Sequence, residues 1–460
     1  MKKILLWMLV VSMIVVFSLA GCKTAVAGEE KAAVAGEEEP TAEKEEPTAE
    51  KEEPVAEELA KAPEDFVGEI NVWHFNDEFD DYMLPIFREK YPNITVNATK
   101  LPMAELLTKL EAAFLTGVGI PDVFVGEQSW VKKMVQYDVW ENLSAEPYNA
   151  EEVAADQYDY CKDLGRDADG NLVALSYQAT PGGVFYRRSM AEEVFGVSEP
   201  DDVGALMTDM DAFLDMSRKL KEAGIFLIPG VEDIQRFFFF NKKQPWVEDG
   251  KLTIEDVVLD YFDVAKTIRD EGMDAKLGAW TPEWSAAPNA DEVFSYVWPT
   301  WGLFFVLEPA APDTFGDFAV AHGPAPFAWG GTWLGISKDS EKKDLAWEFV
   351  KTMATDKDLL RSYADESGDV ISDKVLAEEI AVDYSREFLG GQNHYRYFLD
   401  ELDRLGTAGW AQRVTRYDED IQGQFITALM EYVNGTMTKD EAIQSFKDGV
   451  VSLYPEIDVG

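Results

Sequence analysis

Short apolar runs alternate with helix-periodic stretches where the chain first looks globular, from residue 66 onward. Three of these runs have the length of β-strands and span 69–75, 94–98 and 122–126. Between them, apolar residues recur with the 3.6-residue period of helices over 80–91 and 103–114. Gly117 is placed to end the second helix, and Pro85 predicts a kink or a later start in the first. Strands alternating with helices predict an α/β fold whose parallel sheet is covered on both faces.

The rest of the chain continues both patterns. Extended runs at 172–177 and 183–188 flank a turn signal at 180–183, and a further strand is predicted at 333–336. An amphipathic helix follows, and its apolar stripe contains Leu345, Ala346, Phe349, Val350 and Met353. From 383 to 454 the pattern is almost entirely helical. The run Phe237 to Phe240 indicates either a buried helix or the wall of a cleft.

The first 22 residues have the pattern of an export signal. Lys2 and Lys3 precede an apolar run over 4–17, and Leu19-Ala20-Gly21-Cys22 closes the segment. The closing motif resembles the lipobox of bacterial lipoproteins, which implies cleavage before Cys22 and acylation (palmitate) of its sulfur. A plain secreted protein with a chance cysteine near the cut is the alternative. Residues 23–65 repeat Glu, Pro and Ala, and they predict a disordered acidic tether.

Charge and composition narrow the function. Lys and Arg number 41 against 87 Asp and Glu, and the resulting net charge of −46 argues against nucleic-acid binding. Two cysteines, Cys22 and Cys161, rule out a disulfide framework and a thiolate zinc cluster. The three histidines are scattered, and the sequence contains no HExxH, GxGxxG, P-loop or GxSxG motif. We therefore expect a monomer without metal or cofactor that is not an enzyme.

Five segments, in the same order, resemble family 1 extracellular solute-binding proteins, the substrate receptors of ABC importers, especially those for sugars. These segments are Phe87-Arg-Glu-Lys-Tyr-Pro-Asn-Ile-Thr-Val96, Gly117-Val-Gly-Ile-Pro-Asp-Val-Phe124, Tyr177-Gln-Ala-Thr-Pro-Gly-Gly-Val-Phe-Tyr186, Gly323-Pro-Ala-Pro326 with Ala346-Trp-Glu-Phe-Val350, and Asn434-Gly-Thr-Met-Thr-Lys-Asp-Glu-Ala442. The resemblance implies a two-lobed periplasmic-binding-protein-like fold of type II. Its parallel-rich sheets would be flanked by helices, and its lobes would be joined by crossover strands.

The same resemblance implies that each lobe is built from two separate stretches of chain. Lobe one would comprise 66–176 and 319–366, and lobe two would comprise 180–316 and 370–460. The chain would cross between lobes near 175–178, 317–321 and 367–370. A ligand would lie in the cleft between the lobes, and ABC permease subunits would recognise the closed form.

A sugar has apolar C–H faces and a rim of hydroxyls, so its site needs aromatic rings together with polar partners. The resemblance places the segments that carry Trp130, Trp301 and Gly330-Gly331 at the cleft, although a buried core position is the alternative for each tryptophan. Other candidates end predicted strands, follow them in Gly- and Pro-punctuated loops, or lie on crossings. These candidates are His74, Asn76, Asp77, Glu127, Tyr177, Gln178, Trp298, Trp333 and Asp369.

The function implied is a lipid-anchored substrate-binding protein that captures a carbohydrate, more specifically an oligosaccharide, and delivers it to a permease. Cys22 would attach it to the outer face of the cytoplasmic membrane, as in a Gram-positive-like envelope, or within a periplasm. Two alternatives stay open. One keeps the fold and binds a polyamine, an iron chelate or a peptide, and the other is a surface lipoprotein glycoside hydrolase.

Overall fold

The computed structural model describes residues 61–406 and 410–460. The predicted signal segment, Cys22 and the tether up to residue 60 lie outside the described residues. Within the described residues, no helix combines the length and the apolar character needed to cross a membrane.

Ten strands and nineteen α-helices make up the described structure. The strands are β1 (Gly68–His74), β2 (Ile94–Lys100), β3 (Val123–Glu127), β4 (Leu175–Ser176), β5 (Gly182–Arg187), β6 (Val247–Glu248), β7 (Lys251–Leu252), β8 (Ser295–Pro299), β9 (Phe318–Ala321) and β10 (Thr332–Ile336). The helices to residue 270 are α1 (Leu84–Lys90), α2 (Met103–Thr116), α3 (Gln128–Val135), α4 (Ala150–Val153), α5 (Asp159–Leu164), α6 (Arg188–Phe195), α7 (Pro200–Gly204), α8 (Met210–Glu222), α9 (Gln235–Phe239) and α10 (Asp256–Asp270). The later helices are α11 (Pro282–Ala286), α12 (Glu308–Ala310), α13 (Lys343–Thr355), α14 (Lys357–Ser367), α15 (Lys374–Ile380), α16 (His394–Leu405), α17 (Trp410–Arg413), α18 (Asp418–Val433) and α19 (Lys439–Leu453).

Two sheets dominate the topology. The first has the strand order β2-β1-β3-β10-β4, in which β1 runs parallel to β2 and β3 while β10 is antiparallel to both β3 and β4. The second has the order β8-β5-β9, and both of its pairings are antiparallel. The prediction of parallel-rich sheets is therefore wrong for the second sheet. Only β1 to β3 are joined by short helical crossovers, which keep strands parallel. β8 and β9 pair with β5, and β10 pairs with β3 and β4, although each lies more than 100 residues after its partner in the chain. All of these pairings are antiparallel.

Proline and glycine in the sequence mark where the first two helices change or end. A π-helical turn spans Phe79–Met83, and α1 begins only at Leu84, so that Pro85 lies in its first turn. The π-helical turn runs directly into α1, and proline is tolerated at this junction because a π-bulge already interrupts the regular α-helical hydrogen bonds. Gly117 follows α2 with φ 68°, a left-handed conformation that favours glycine at a helix end. Helical backbone already begins at residue 77, so the later start is wrong, and Pro85 lies instead where the π-helical turn passes into α1. The stop after the second helix is confirmed.

Aromatic side chains fill much of the interior. Phe237, Phe238 and Phe239 are buried on α9, and Phe238 stacks on Tyr261 with ring centres 4.6 Å apart. Burying each such ring contributes about 1.5–3 kcal/mol. The phenylalanine run is thus a buried helix, while Phe240, which follows it, is only half-buried and reaches a cavity.

Three stretches of chain lie side by side between the two sheets. Residue 178 pairs with 371 and the amide of Ala179 donates to Val370 O over 2.8 Å, while 181 pairs with 328 and the amide of Gly182 donates to Phe327 O over 2.8 Å. We call 177–182, 326–331 and 369–372 the crossing segments. The stretch 317–321, predicted as a crossing, coincides with β9, which pairs with β5 in the second sheet.

Candidate ligand-binding site

A cavity opens where β3 ends, beside α9 and the start of α18. Its walls include Glu127, Gln128 and Ser129 from one side and Arg236 and Gln422 from the other. β3 is buried along its whole length, and its last residue, Glu127, caps α3 by accepting a 2.8 Å hydrogen bond from the Ser129 amide to Oε2. Burial raises the pKa of Glu127. The end of a sheet strand thus delivers a buried carboxyl group to the cavity.

Arg236 brings a cation to the same cavity. Its guanidinium carbon lies 4.7 Å from the centre of the Trp329 ring, and Nη1 donates to Gln422 Oε1 over 3.3 Å. Burial lowers the pKa of Arg236 to about 10, against the opposing attraction of Glu127, so the group stays charged at neutral pH. Within the described structure, Arg236 Nε and Gln128 Oε1 have no hydrogen-bond partner. Buried polar atoms are normally paired, so each of these two lacks the partner that burial usually requires.

Three tryptophans form a surface next to Arg236, and we call Trp280, Trp301 and Trp329 the indole cluster. Trp280 stacks on Trp301 with centres 6.2 Å apart, and Trp329 meets them edge-on at 6.0 and 5.2 Å. Trp301 Nε1 donates to Trp329 O over 2.8 Å, which fixes their mutual orientation. Trp280 is 53% exposed, and neither Trp301 nor Trp329 is fully buried. Accessible indole faces beside polar groups are the combination that a ring-shaped polyol requires.

Gly330 and Gly331 shape the loop that carries Trp329. Their φ values are 78° and 105°, and a Cβ on Gly330 would lie 2.5 Å from Trp301 Nε1. The carbonyl of Gly330 also accepts from Thr180 Oγ1 over 3.0 Å. These two predicted site residues therefore position the indole cluster against the first crossing segment.

Two other predicted site residues, Asn76 and Tyr177, belong to a buried polar network. Asn76 Nδ2 donates to Glu78 Oε1 over 2.8 Å and to Thr332 Oγ1 over 2.9 Å. Tyr177 Oη donates to the same Glu78 oxygen over 2.6 Å. Burial raises the pKa of Glu78. The network ties the end of β1 to β10 and to the first crossing segment.

Gln178 and Asp369 continue the network to the third crossing segment. Asp369 Oδ2 accepts from Gln178 Nε2 and from Tyr363 Oη, each over 2.6 Å, and Tyr395 Oη donates to the backbone oxygen of Asp369. Burial raises the pKa of Asp369 to about 7, although three side-chain hydrogen bonds oppose it. The side chains of Gln178 and Asp369 thus form their hydrogen bonds with other groups of the protein.

His74 and Asp77 follow opposite patterns of exposure. His74 is fully buried and stacks on Phe79 at 5.2 Å, and burial lowers its pKa against the attraction of Asp80. Within the described residues its two ring nitrogens make no hydrogen bond. Asp77 is exposed and forms an ion pair with Lys100.

Trp130, Trp298 and Trp333 lie in the packed interior, each exposed by 1% or less. Trp333 Nε1 donates to Cys161 O over 2.7 Å, so its polar edge is used inside the protein. The core position stated as the alternative for Trp130 is the one it adopts here, and Trp333 is buried in the same way. Trp301 differs because it belongs to the indole cluster.

Several cavity residues carry no signal that the sequence patterns select. Arg236 precedes the phenylalanine run on α9, Trp410 begins α17, and Gln422 lies on α18. α9 is far from α17 and α18 along the chain, and only the fold brings all three to the end of β3. In the sequence, Trp329 directly precedes Gly330 and Gly331, and this glycine turn is the signal that points to it.

Comparisons with known proteins identify the family and the fold. The model of the bacterial extracellular solute-binding protein family matches residues 83–386, and the chain belongs to this family. The predicted membership and the predicted α/β binding-protein fold are both confirmed.

Solved structures show the same fold at low sequence identity. A family 1 extracellular solute-binding protein matches with a TM-score of 0.72 at 18% identity, covering 84% of this chain and 99% of the other. The galacto-N-biose-/lacto-N-biose I-binding protein of the ABC transporter from Bifidobacterium longum, in complex with lacto-N-biose, matches with a TM-score of 0.69 at 16% identity, covering 86% and 99%. The sugar-binding protein MalE from Xanthomonas citri matches with a TM-score of 0.66 at 18% identity, covering 84% and 97%.

Proposed function

We propose that this protein is the substrate-binding component of an ABC importer and that it captures a carbohydrate, an oligosaccharide, between its two lobes. The ligand is released chemically unchanged to permease subunits. The observation that carries the proposal is the indole cluster, which lies beside a cavity lined by Arg236, Gln128 and Glu127. Sugar-binding structures from Bifidobacterium longum and Xanthomonas citri share the fold and support the ligand class.

The indole faces and the unpaired polar atoms divide the work of recognition. Stacking on Trp280, Trp301 or Trp329 would bury the C–H face of a sugar ring, while Arg236 Nε and Gln128 Oε1 would bond its hydroxyls. Micromolar affinity needs only about −8 kcal/mol. Two stacked rings and a few bonded hydroxyls supply this, even after the cost of immobilising the ligand.

Binding requires the two lobes to separate and close again. The cavity measures about 50 Å³, which is room for a few water molecules and too little for an oligosaccharide. The three crossing segments are the hinge of this proposal: 177–182 and 326–331 connect the two sheets, and 369–372 pairs with the first of them. The lobe boundaries, 66–176 with 319–366 and 180–316 with 370–460, stay part of the proposal, except that β9 pairs with β5 in the second sheet and the second crossing is therefore placed at 326–331.

Attachment at Cys22 completes the proposed arrangement. Acyl chains on its sulfur would keep the receptor at the membrane that holds the permease, at the outer face of a cytoplasmic membrane or in a periplasm. The 23–65 tether would set the distance between the membrane and the binding domain.

The alternatives receive less support from the cavity. A polyamine would meet Arg236, Lys242 and Arg413 in the cavity wall, which are cations like itself. A glycoside hydrolase requires two carboxyl groups held on either side of the glycosidic bond. One carboxyl oxygen of Glu127 is already engaged, because it accepts the hydrogen bond that caps α3.

A titration of the purified chain with neutral and acidic mono- and oligosaccharides, with spermidine and ferric citrate alongside, tests the proposal. We expect at least one saccharide to raise the melting temperature and quench tryptophan fluorescence, because ligand that binds only the native state stabilises it. Trp329→Leu should weaken that binding about tenfold or more. Trp347→Leu, on α13 against Tyr148, is the control and should lower stability without changing affinity. Silence across all saccharides, or binding of spermidine alone, would overturn the proposal.

A further inference from the structure

A second cavity adjoins the first and has a different lining. It measures about 240 Å³ and shares Phe240, Lys242, Trp410 and Arg413 with the first cavity. Lys243 and Arg404 add two more cations, and among the described residues no carboxyl side chain lines it. We call it the basic cavity. Four cations around one space are unexpected in a chain with a net charge of −46.

Lys242 is the clearest sign that the basic cavity is built for a ligand. It is 6% exposed, and its Nζ has no hydrogen-bond partner in the described part of the chain. Burial lowers its pKa to about 8, which leaves the ammonium group mostly charged at neutral pH. The group lies 3.9 Å from the centre of the Trp246 ring, a contact that offsets only part of the cost of burial.

The nearest acids are occupied elsewhere. Asp418 Oδ1 accepts from the amide and the hydroxyl of Thr415, each over 2.8 Å. The Glu255 carboxyl group accepts from the amides of Lys243 and Gln244. Both acids attract Lys242 from a distance, yet neither forms an ion pair with it in the described structure.

The arginines differ in how far they are neutralised. Arg404 pairs with Glu401 and also donates to Gly323 O over 3.2 Å. Arg413 is attracted by Glu255 without a direct ion pair among the described residues, and burial lowers its pKa. Lys243 is exposed and makes no ion pair in the described structure, so its charge is screened by solvent. Lys242 and Arg413 are the two cations that line both cavities without a direct ion pair among the described residues.

We propose that the basic cavity receives an anionic group of the ligand, so that the carbohydrate is an acidic saccharide whose neutral ring contacts the first cavity. This inference rests on the proposed function and names its ligand class. Carboxylate, phosphate and sulfate groups share the chemistry that Lys242 and Arg413 recognise, namely several acceptor oxygens with a negative charge. Such a group would also supply the missing partner of Lys242 Nζ.

Matched pairs of probes test the inference by calorimetry. Trigalacturonate is compared with its methyl ester, which removes only the charge, and glucose 6-phosphate is compared with glucose; the two acids separate a carboxylate from a phosphate. We expect one acid to bind at least about tenfold more tightly than its neutral partner, with an advantage that shrinks in high salt.

Variants then locate the effect. Lys242→Met and Arg413→Gln should each weaken binding of the acid about tenfold or more and change binding of the neutral partner less than about twofold. Lys242→Met should keep or raise the melting temperature, because it removes a buried unpaired charge. Exposed Lys219→Met and Arg361→Gln are the matched controls and should behave like the parent.

The outcomes separate this inference from the proposed function. If neutral saccharides bind as tightly as acidic ones, or if Lys242→Met and Arg413→Gln bind the acids like the parent, the basic cavity is not an anion site and the carbohydrate receptor stands. If no saccharide of either charge binds, the proposed function itself fails.

Discussion

Gln178 Nε2 donates a 2.6 Å hydrogen bond to Asp369 Oδ2, and this bond joins the first crossing segment to the third. Tyr363 Oη donates to the same oxygen, so a single buried carboxyl group holds two elements together. A cleft that opens by bending these segments must keep or break this bond. The titration of Asp369 therefore bears on stability and on the proposed hinge motion.

The pH dependence of stability is the first prediction. Burial raises the pKa of Asp369 to about 7 in the folded chain, whereas the unfolded chain titrates near the ordinary value of 3.8. The folded state thus holds the proton over this window, so its contribution to stability is complete below about pH 4 and is lost as pH rises through about 7. Asp369→Asn should remove a pH-dependent contribution on the order of 2–4 kcal/mol.

Urea unfolding from about pH 4.5 to about pH 8 measures this effect. The unfolding free energy of the parent minus that of Asp369→Asn should fall as pH rises, because only the parent loses the contribution of the protonated carboxyl group. The exposed Asp313→Asn variant is the control and should track the parent. Some slope will remain in Asp369→Asn because Glu78 is also buried with a raised pKa. Parallel curves for the parent and Asp369→Asn would show that Asp369 titrates normally.

Gly330→Ala should cost more stability than an alanine at a comparable glycine. Gly330 and Gly196 have similar φ values of 78° and 72°, so an alanine at either position has the same strain from a left-handed backbone. Only at Gly330 does the added Cβ meet another group, Trp301 Nε1 at 2.5 Å, while nothing lies within 4 Å of it at Gly196. We expect Gly330→Ala to lose roughly 1–3 kcal/mol more than Gly196→Ala in chemical denaturation. Equal losses of unfolding free energy in the two variants would mean that the indole cluster moves aside for the added methyl group at no cost.

Trp280→Ala tests the exposed side of the indole cluster. Because this ring is 53% exposed, its removal should change the unfolding free energy by less than about 1 kcal/mol. Affinity for the carbohydrate identified by titration should fall about tenfold as a stacking face is lost. Phe315→Ala, which removes a ring that is 63% exposed, should leave affinity unchanged. A Trp280→Ala variant that binds like the parent would remove Trp280 from the site.

Trp333→Phe distinguishes core packing from ligand contact. The substitution deletes the hydrogen bond to Cys161 O and part of a buried ring, so the free energy of unfolding should fall by roughly 1–3 kcal/mol. Affinity, measured below the unfolding transition, should change less than about twofold. A strong loss of affinity with stability intact would instead support the sequence-based prediction that Trp333 contacts the ligand.

The first three strands and the helices between them were predictable because local rules decide them. Strand periodicity and Gly117 act within a few residues, and the structure agrees with both of them. The orientation of β9 and β10 was not predictable in this way. It depends on where the chain returns after long excursions, and no local pattern records that direction.

The candidate site divides along the same line. Glu127 and Trp301 were accessible to prediction because a strand end and a Pro- and Gly-punctuated loop are visible in the sequence. Trp298 and Trp333 carry similar local signals, yet tertiary packing buries them. Arg236 and Lys242 were missed because an arginine before an apolar run and a Lys-Lys pair in a polar stretch both resemble solvated surface charge until the fold closes around them.

The position of β10 has a consequence for how the protein reaches its final location. This strand lies between β3 and β4 in the first sheet, but it follows β4 in the chain by more than 150 residues. A chain that emerges from a translocation channel N-terminus first therefore presents β1, β2 and β3 with an unpaired edge until Ile336 has also emerged. The first sheet matures late, and secretion of a truncated chain ending before β10 would yield an open edge prone to aggregation.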